Sequence, residues 1–363
     1  MFAGSTERET TMNGRERIKG CISHSPTGEV SWQINCTKEC GRRLLRDLDL
    51  VDRELLILGN NVLAFSSLDD YFGNSIVFLP TRAGNTPVEV GPGIWKDEWN
   101  VDWDRRIDRD IGSPLNCILE RKQLSELIVP DPSSTERYLH LDPMIRANPG
   151  RYRLARLSYS LFERAWSLRG IENLLVDFVQ DHDFVKDLFR MICDFHLAVI
   201  RNLRPYEIDG IIFGDDWATQ SGLMVSPAAW RSLVLPYAKE LYDQAHREGF
   251  DVFVHSCGNV TAILDDLIDS GVDVYNPFQP EAVDVRALME THAHRICFYG
   301  GLSLQRTLTF GSAAEVQNEV LDRIALARRH GSLVISPAHH MTPDVPTSNI
   351  VAMREILTGA RRG

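Results

Sequence analysis

From Arg151 onward, short apolar runs with strand character alternate with longer amphipathic runs, and the connections between them are brief. Residues 154–161, 210–214, 252–255, 272–275, 296–299 and 333–336 read as strands. Residues 171–178, 183–203, 226–248, 261–269, 284–290, 312–330 and 348–357 read as helices. Ser226-Pro227 and Ser312 supply N-caps, and Gly249, Gly271 and Gly331 supply stops. A strand-then-helix rhythm with short links forces the strands parallel. Polar or glycine-rich groups follow five of these strands: Asp215-Asp216, His255 and Cys257, Asn276 to Gln279, Gly300-Gly301, and His339-His340. In a (β/α)8 barrel such positions converge on one mouth. A doubly wound open sheet gives no reason to enrich nearly every strand end, and no GxGxxG follows a strand. The expected fold is therefore α/β, a (β/α)8 TIM barrel over residues 12–363. A small subdomain is expected as an extension or insert within about 50–150.

The N-terminal third is less regular. Residues 13–22 predict a short amphipathic helix, 29–35 a strand, and 37–48 a second helix. The apolar stretch 55–65 fits either element. Residues 75–79 and 88–103 predict strands, the latter a hairpin or small sheet. Trp95, Trp99 and Trp103 recur every four residues there, but the preceding Gly91-Pro92-Gly93 favours extended chain. Met1 to Thr11 is polar, has no apolar core of a secretory signal, and is expected to be a disordered tail.

The net charge of −11 argues against a general nucleic-acid binder, which needs basic patches for phosphates. No run reaches the roughly 18 apolar residues of a membrane helix. Seven cysteines, an odd number thinly spread, suit free thiols in a reducing cytoplasm. Cys36 and Cys40 read as packing residues.

The chemistry gathers at Val252-Phe-Val-His-Ser-Cys-Gly-Asn259. Side chains two apart on an extended segment point the same way, so His255 and Cys257 present an imidazole and a thiol to one point. Both residue types bind zinc, and a third ligand is expected from another loop at the same mouth. His339 is the candidate, with its neighbour His340 as the alternative. Asn259 is a candidate N-cap for the next helix. Asp216 is the candidate catalytic group, and Gln220, Asn276, Gln279 and Glu98 are candidates for substrate contact. His246, His292, His294 and His330 read as surface residues.

These pieces resemble the uroporphyrinogen decarboxylase superfamily, particularly its zinc-dependent, corrinoid-linked methyltransferase branch. The resemblance rests on Phe162-Glu-Arg-Ala-Trp-Ser-Leu-Arg-Gly170, Gly214-Asp-Asp-Trp-Ala-Thr-Gln220, His255-Ser-Cys-Gly258, Asn276-Pro-Phe-Gln-Pro280 and Ser336-Pro-Ala-His339, with Asn13-Gly-Arg-Glu-Arg-Ile18 at the start. It implies a His-x-Cys zinc pair with a distant cysteine, a position that falls on His339 here. It also implies methyl exchange with a cobalamin on a corrinoid protein, and a homodimer. With one thiolate fewer, the site favours Lewis-acid activation of an ether or similar methyl donor over thiol alkylation. The decarboxylase branch carries an N-terminal arginine-rich signature for porphyrinogen carboxylates. The corresponding Val30-Ser-Trp-Gln-Ile-Asn-Cys36 has no arginine. The resulting expectation is a cytoplasmic zinc methyltransferase acting on a small methoxylated aromatic, methylamine or thiol. The alternatives are a metal-free decarboxylase or lyase on the same barrel, and a non-catalytic small-molecule binding protein.

Overall fold

A computed structural model describes residues 12–25, 28–51, 57–58, 61–62, 66–83, 86–107, 109 and 112–360. The expected tail at 1–11 lies outside them, as does most of 55–65. Eight parallel strands form one sheet curled into a barrel. They are β1 (Ser31–Trp32), β2 (Ile76–Pro80), β3 (Tyr152–Leu157), β4 (Gly210–Gly214), β5 (Asp251–His255), β6 (Val274–Phe278), β7 (Cys297–Leu302) and β8 (Leu333–Pro337). Neighbours pair in chain order from β2 to β8, and β8 returns to β1 with Trp32 opposite Ile335. Between β1 and β2, side chains do much of the joining. Gln33 Oε1 accepts from the Ile76 amide at 2.9 Å, and Asn74 Oδ1 accepts from the Ile34 amide at 2.8 Å.

Alternation along the strands sorts side chains into two populations. Ile76, Leu154, Ile212, Phe253, Val274, Cys297, Tyr299 and Val334 pack together inside the barrel. Val77, Ala155, Ile211, Val252, Tyr275, Phe298 and Ile335 belong to the larger core beneath the helices. The helix Gly14–Ile22 closes the N-terminal end of the barrel. Its Ile18 and Cys21 join the inner cluster, Lys19 pairs with Asp251 at 2.6 Å, and Arg15 pairs with Asp209 at 2.7 Å. The inner positions of the next layer up, toward the opposite end, are Phe78, Arg156, Gly214, His255, Asn276, Gly301 and Ser336.

A four-stranded antiparallel meander (Val88–Gly91, Ile94–Lys96, Asp102–Asp104, Ser113–Pro114) lies between β2 and β3 in the chain. Trp95 pairs with Trp103 across it, so the tryptophan spacing is extended chain. Asp97 fixes the turn by accepting from the amides of Trp99 and Val101, and its other oxygen takes Trp103 Nε1 and the Arg164 guanidinium. Trp103 rests on Tyr159, 5.1 Å between rings, so the meander sits beside the exit of β3.

Three local expectations need correction. The strand expected over 154–161 stops at Leu157, and Phe162–Arg169 is a helix. Its first turn is capped by Asp215 from the next unit, a partner invisible to local pattern. The helix expected from Pro227 to Glu248 is two, Pro227–Leu233 and Leu235–Arg247, because Pro236 lacks the amide a continuous helix would need. Asn259 does not cap an α-helix. Its Oδ1 accepts from the Thr261 amide at 3.1 Å, and a 3-10 turn precedes the α-helix Leu264–Asp269. The capping of Ala313–His330 by Ser312 and its arrest at a left-handed Gly331 follow expectation. Among the described residues no helix is long and apolar enough to cross a membrane.

Candidate metal centre

His255 is the last residue of β5, at an inward-facing position, and Cys257 follows on the loop. His339 arrives from the loop after β8, where the Ala338 amide donates to the Leu302 carbonyl at 2.9 Å. One ligand atom from each of His255, Cys257 and His339 lies within 4.8 Å of the others. Tetrahedral zinc with Zn–N of about 2.1 Å and Zn–S of about 2.3 Å holds such ligands about 3.6 Å apart. His255 Nε2 and Cys257 Sγ are separated by 3.6 Å. The His255 and His339 rings meet edge-on, 5.7 Å between centroids.

The proton on His255 can be placed. Asn276 Nδ2 donates to the Tyr299 carbonyl at 3.0 Å, which turns Asn276 Oδ1 toward His255 Nδ1 at 2.6 Å. Nδ1 therefore donates, and Nε2 keeps its lone pair on the side of Cys257 and His339. Metal-binding histidines are oriented in this way.

The loop carrying Cys257 is held backbone-first. The Cys257 amide donates to Asp216 Oδ1 at 2.8 Å, and the Gly258 amide to Gln279 Oε1 at 2.7 Å. Gly258 has φ +90°, and a Cβ there would stand 2.5 Å from the Thr219 carbonyl oxygen, so only glycine lets the loop pass. Burial, and then the charge of Asp216, raise the Cys257 thiol above its ordinary range. Asp216 Oδ1 also lies 3.9 Å from His255 Nε2.

The remaining sequence candidates fall in different places. Asn276 and Gln279 grip the two ligand-bearing segments, as described above. Gln220 is exposed and bonds to Gln305. Glu98 is clasped by Arg137, with the nearer contact at 2.6 Å, and no hydrogen bond links it to the triad among the described residues. His340 stands beside His339, 5.4 Å between rings, outside the group of three. Burial, then the charges of Arg156, His339 and His255, pull its imidazole well below the usual range.

Two groups at this end escaped the sequence reading. Glu163 sits half-buried, its Oε2 3.9 Å from where a side chain on Gly214 would begin. Burial, then the charges of Asp216 and Asp215, raise its carboxyl well above the carboxylate range. Arg156 projects inward from β3. The alternation Tyr152, Leu154, Arg156 was the available signal.

An α/β barrel with a nitrogen–sulfur triad at its mouth is the class that fold and site define. The uroporphyrinogen decarboxylase (URO-D) family model matches residues 145–359, and the chain belongs to that family. A methyltransferase from Methanosarcina mazei has the same fold, with a TM-score of 0.73 at 15% identity over 97% of this chain and 98% of that one. A sugar phosphate isomerase/epimerase from Parabacteroides distasonis aligns with a TM-score of 0.40 at 10% identity over 93% and 98% of the two chains. A xylanase from Gloeophyllum trabeum gives 0.40 at 11% identity over 59% and 77%. These weaker likenesses add nothing to the reading of the site. No curated protein matches the sequence significantly.

Proposed function

We propose that the chain is a zinc-dependent methyltransferase that moves a methyl group between a small methylated compound and a corrinoid carried by a partner protein. The observation that carries this reading is the triad of His255, Cys257 and His339, with the His255 tautomer set by Asn276 so that Nε2 faces the other two ligands. The structural likeness to a methyltransferase agrees with it.

In this reading the side chains of His255, Cys257 and His339 would hold zinc. Zinc there would polarise the oxygen, nitrogen or sulfur that bears the methyl group. Asn276 keeps the His255 ring from rotating, and Gln279 and Asp216 keep the Cys257 loop against the barrel. Asp216 Oδ1 stands 3.9 Å from His255 Nε2, where it would act on a bound substrate, and Gln220 is exposed and bonds to Gln305. For a methyl donor, a reduced corrinoid, when bound, would supply the electron pair that accepts the methyl group, and the heteroatom would leave with the pair from its bond to carbon. Seven free cysteines agree with a reducing cytoplasm.

The test is methyl transfer to added reduced cobalamin, followed by its absorbance, with zinc-loaded protein and a panel of methoxylated aromatics, methylamines and methyl thioethers. Methylated cobalamin should accumulate with at least one class. A zinc-loaded protein inert across the panel would remove the methyltransferase reading.

A further inference from the structure

Arginines buried in this protein are generally matched to acids. Arg137 holds Glu98 at 2.6 Å, Arg164 holds Asp97 at 2.7 Å, and Arg169 holds Asp177 at 2.8 Å. Two half-buried guanidiniums near the barrel mouth depart from this. Arg156 and Arg82 form no ion pair with a carboxylate among the described residues. Arg156 lies at the inward position of β3 above Leu154, with Pro80 of β2 as its register partner. Its guanidinium rests over the Phe78 ring, 4.8 Å from the centroid. Arg82 follows β2 by two residues. The neighbouring Thr81 hydroxyl donates to the Arg156 carbonyl at 2.7 Å, which ties the two segments together. The acid whose charge acts on Arg82, Glu98, is already committed to Arg137. Arg105, stacked on Trp95 at 5.4 Å, adds positive charge beside Arg82.

We infer that Arg156 and Arg82 form a subsite for the carboxylate of a ligand entering the barrel mouth, on the β2–β3 side, facing the triad on the β5–β8 side. An uncompensated guanidinium withdrawn from water is costly, and two held together cost more. A planar two-oxygen anion removes that cost and suits the guanidinium fork. The electrostatics agree. Burial, then the charges of Arg105 and Arg156, bring Arg82 down to about 10. Arg156 is lowered by burial and interacts with Tyr299, and its charge is felt at His340 together with those of His339 and His255. Arg156 shares the inward layer at this end of the barrel with His255 and Asn276. For substrate identity the inference rests on the proposed methyl transfer, and it narrows the substrate to an anionic compound, with the methyl-bearing atom placed away from its carboxylate. The existence of the subsite does not rest on that reading.

The experiment is calorimetric titration of the full-length protein with benzoate, its neutral analogue benzamide, and inorganic phosphate, with and without zinc. Wild type is compared with Arg156→Gln, Arg156→Lys and Arg82→Gln, and melting curves are recorded without ligand. Benzoate should bind wild type at least tenfold more tightly than benzamide. Arg156→Gln and Arg82→Gln should each lose tenfold or more for benzoate, and Arg156→Lys should retain part of the affinity. Zinc content should be unchanged in all three variants. With no carboxylate partner to lose and only the Phe78 ring contact given up, Arg156→Gln should melt close to the wild-type temperature. Tighter binding of phosphate than benzoate, with the same arginine dependence, would support the anion subsite and assign it to a phosphoryl group. Equal binding of benzoate and benzamide, no anion binding at all, or full affinity in Arg156→Gln would overturn the inference. So would an Arg156→Gln protein melting several degrees low, which would mark the guanidinium as structural. Loss of zinc binding in wild type with benzoate binding intact would instead remove the metal reading and leave the subsite.

Discussion

Removing the carboxylate of Asp215 should unfasten one βα unit from the next. Asp215 follows β4 and is 1% exposed. Its two oxygens accept from the amides of Leu161 at 3.2 Å, Phe162 at 3.0 Å and Glu163 at 2.8 Å, and from Trp217 Nε1 at 2.6 Å. These amides belong to the first turn of Phe162–Arg169, which has no cap of its own. Burial raises the Asp215 carboxyl to about 6 against the opposing pull of those amides, so the group is mostly ionised at neutral pH. Asp215→Ala orphans four buried donors. At roughly 1 kcal/mol each once water enters the vacated space, the loss is about 3–5 kcal/mol. Asp215→Asn keeps one acceptor and relieves the buried charge, so it should cost about 1–2 kcal/mol. For 363 residues the unfolding entropy is on the order of 0.75 kcal/mol/K, so the alanine variant should melt about 5 °C low. Urea unfolding followed by tryptophan fluorescence and circular dichroism reads both variants. An Asp215→Ala protein within about 1 kcal/mol of wild type would refute the capping argument.

Two further outcomes follow from the same geometry. Asn276→Ala frees the His255 ring to rotate and should weaken zinc binding roughly 10–100-fold without unfolding the protein, read by competition with a chelator dye. His196 is buried beside Phe195, and burial, then Arg164, lower its imidazole to about 3 from an ordinary value of 6.5. The unfolded chain therefore takes up this proton first as pH falls. Stability should drop below pH 6.5 by up to about 1.4 kcal/mol per pH unit relative to His196→Leu, and recover above it. Parallel pH profiles for the two proteins would show that His196 does not carry this term.

The barrel is legible in the sequence because each βα unit carries its own punctuation. Ser312 and Gly331 bracket a helix by local chemistry alone, and the i, i+2 spacing of His255 and Cys257 brings the two side chains together without knowledge of the fold. What the sequence conceals depends on long-range partners. β1 is only two residues long, and its link to β2 relies on Gln33 and Asn74, which look like ordinary loop residues. The helix at Phe162 borrows its cap from Asp215, so its start carries no local signal. Glu98, beside three tryptophans, reads as a substrate contact, yet it meets an arginine 39 positions away. Asn276 reads as a substrate contact until the Tyr299 carbonyl fixes its amide and turns it into the anchor of His255. Arg156 shares its strand with a second arginine, Arg153, and only counting inward positions sets the two apart.

Zinc content per chain, measured by mass spectrometry after dialysis, tests the account at its centre. Wild type should retain about one zinc. His255→Ala, Cys257→Ala and His339→Ala should each lose it while keeping their far-ultraviolet circular dichroism, and His340→Ala should keep it. A wild-type protein that stays metal-free after incubation with zinc, or a Cys257→Ala protein that holds zinc as firmly as wild type, would contradict the account.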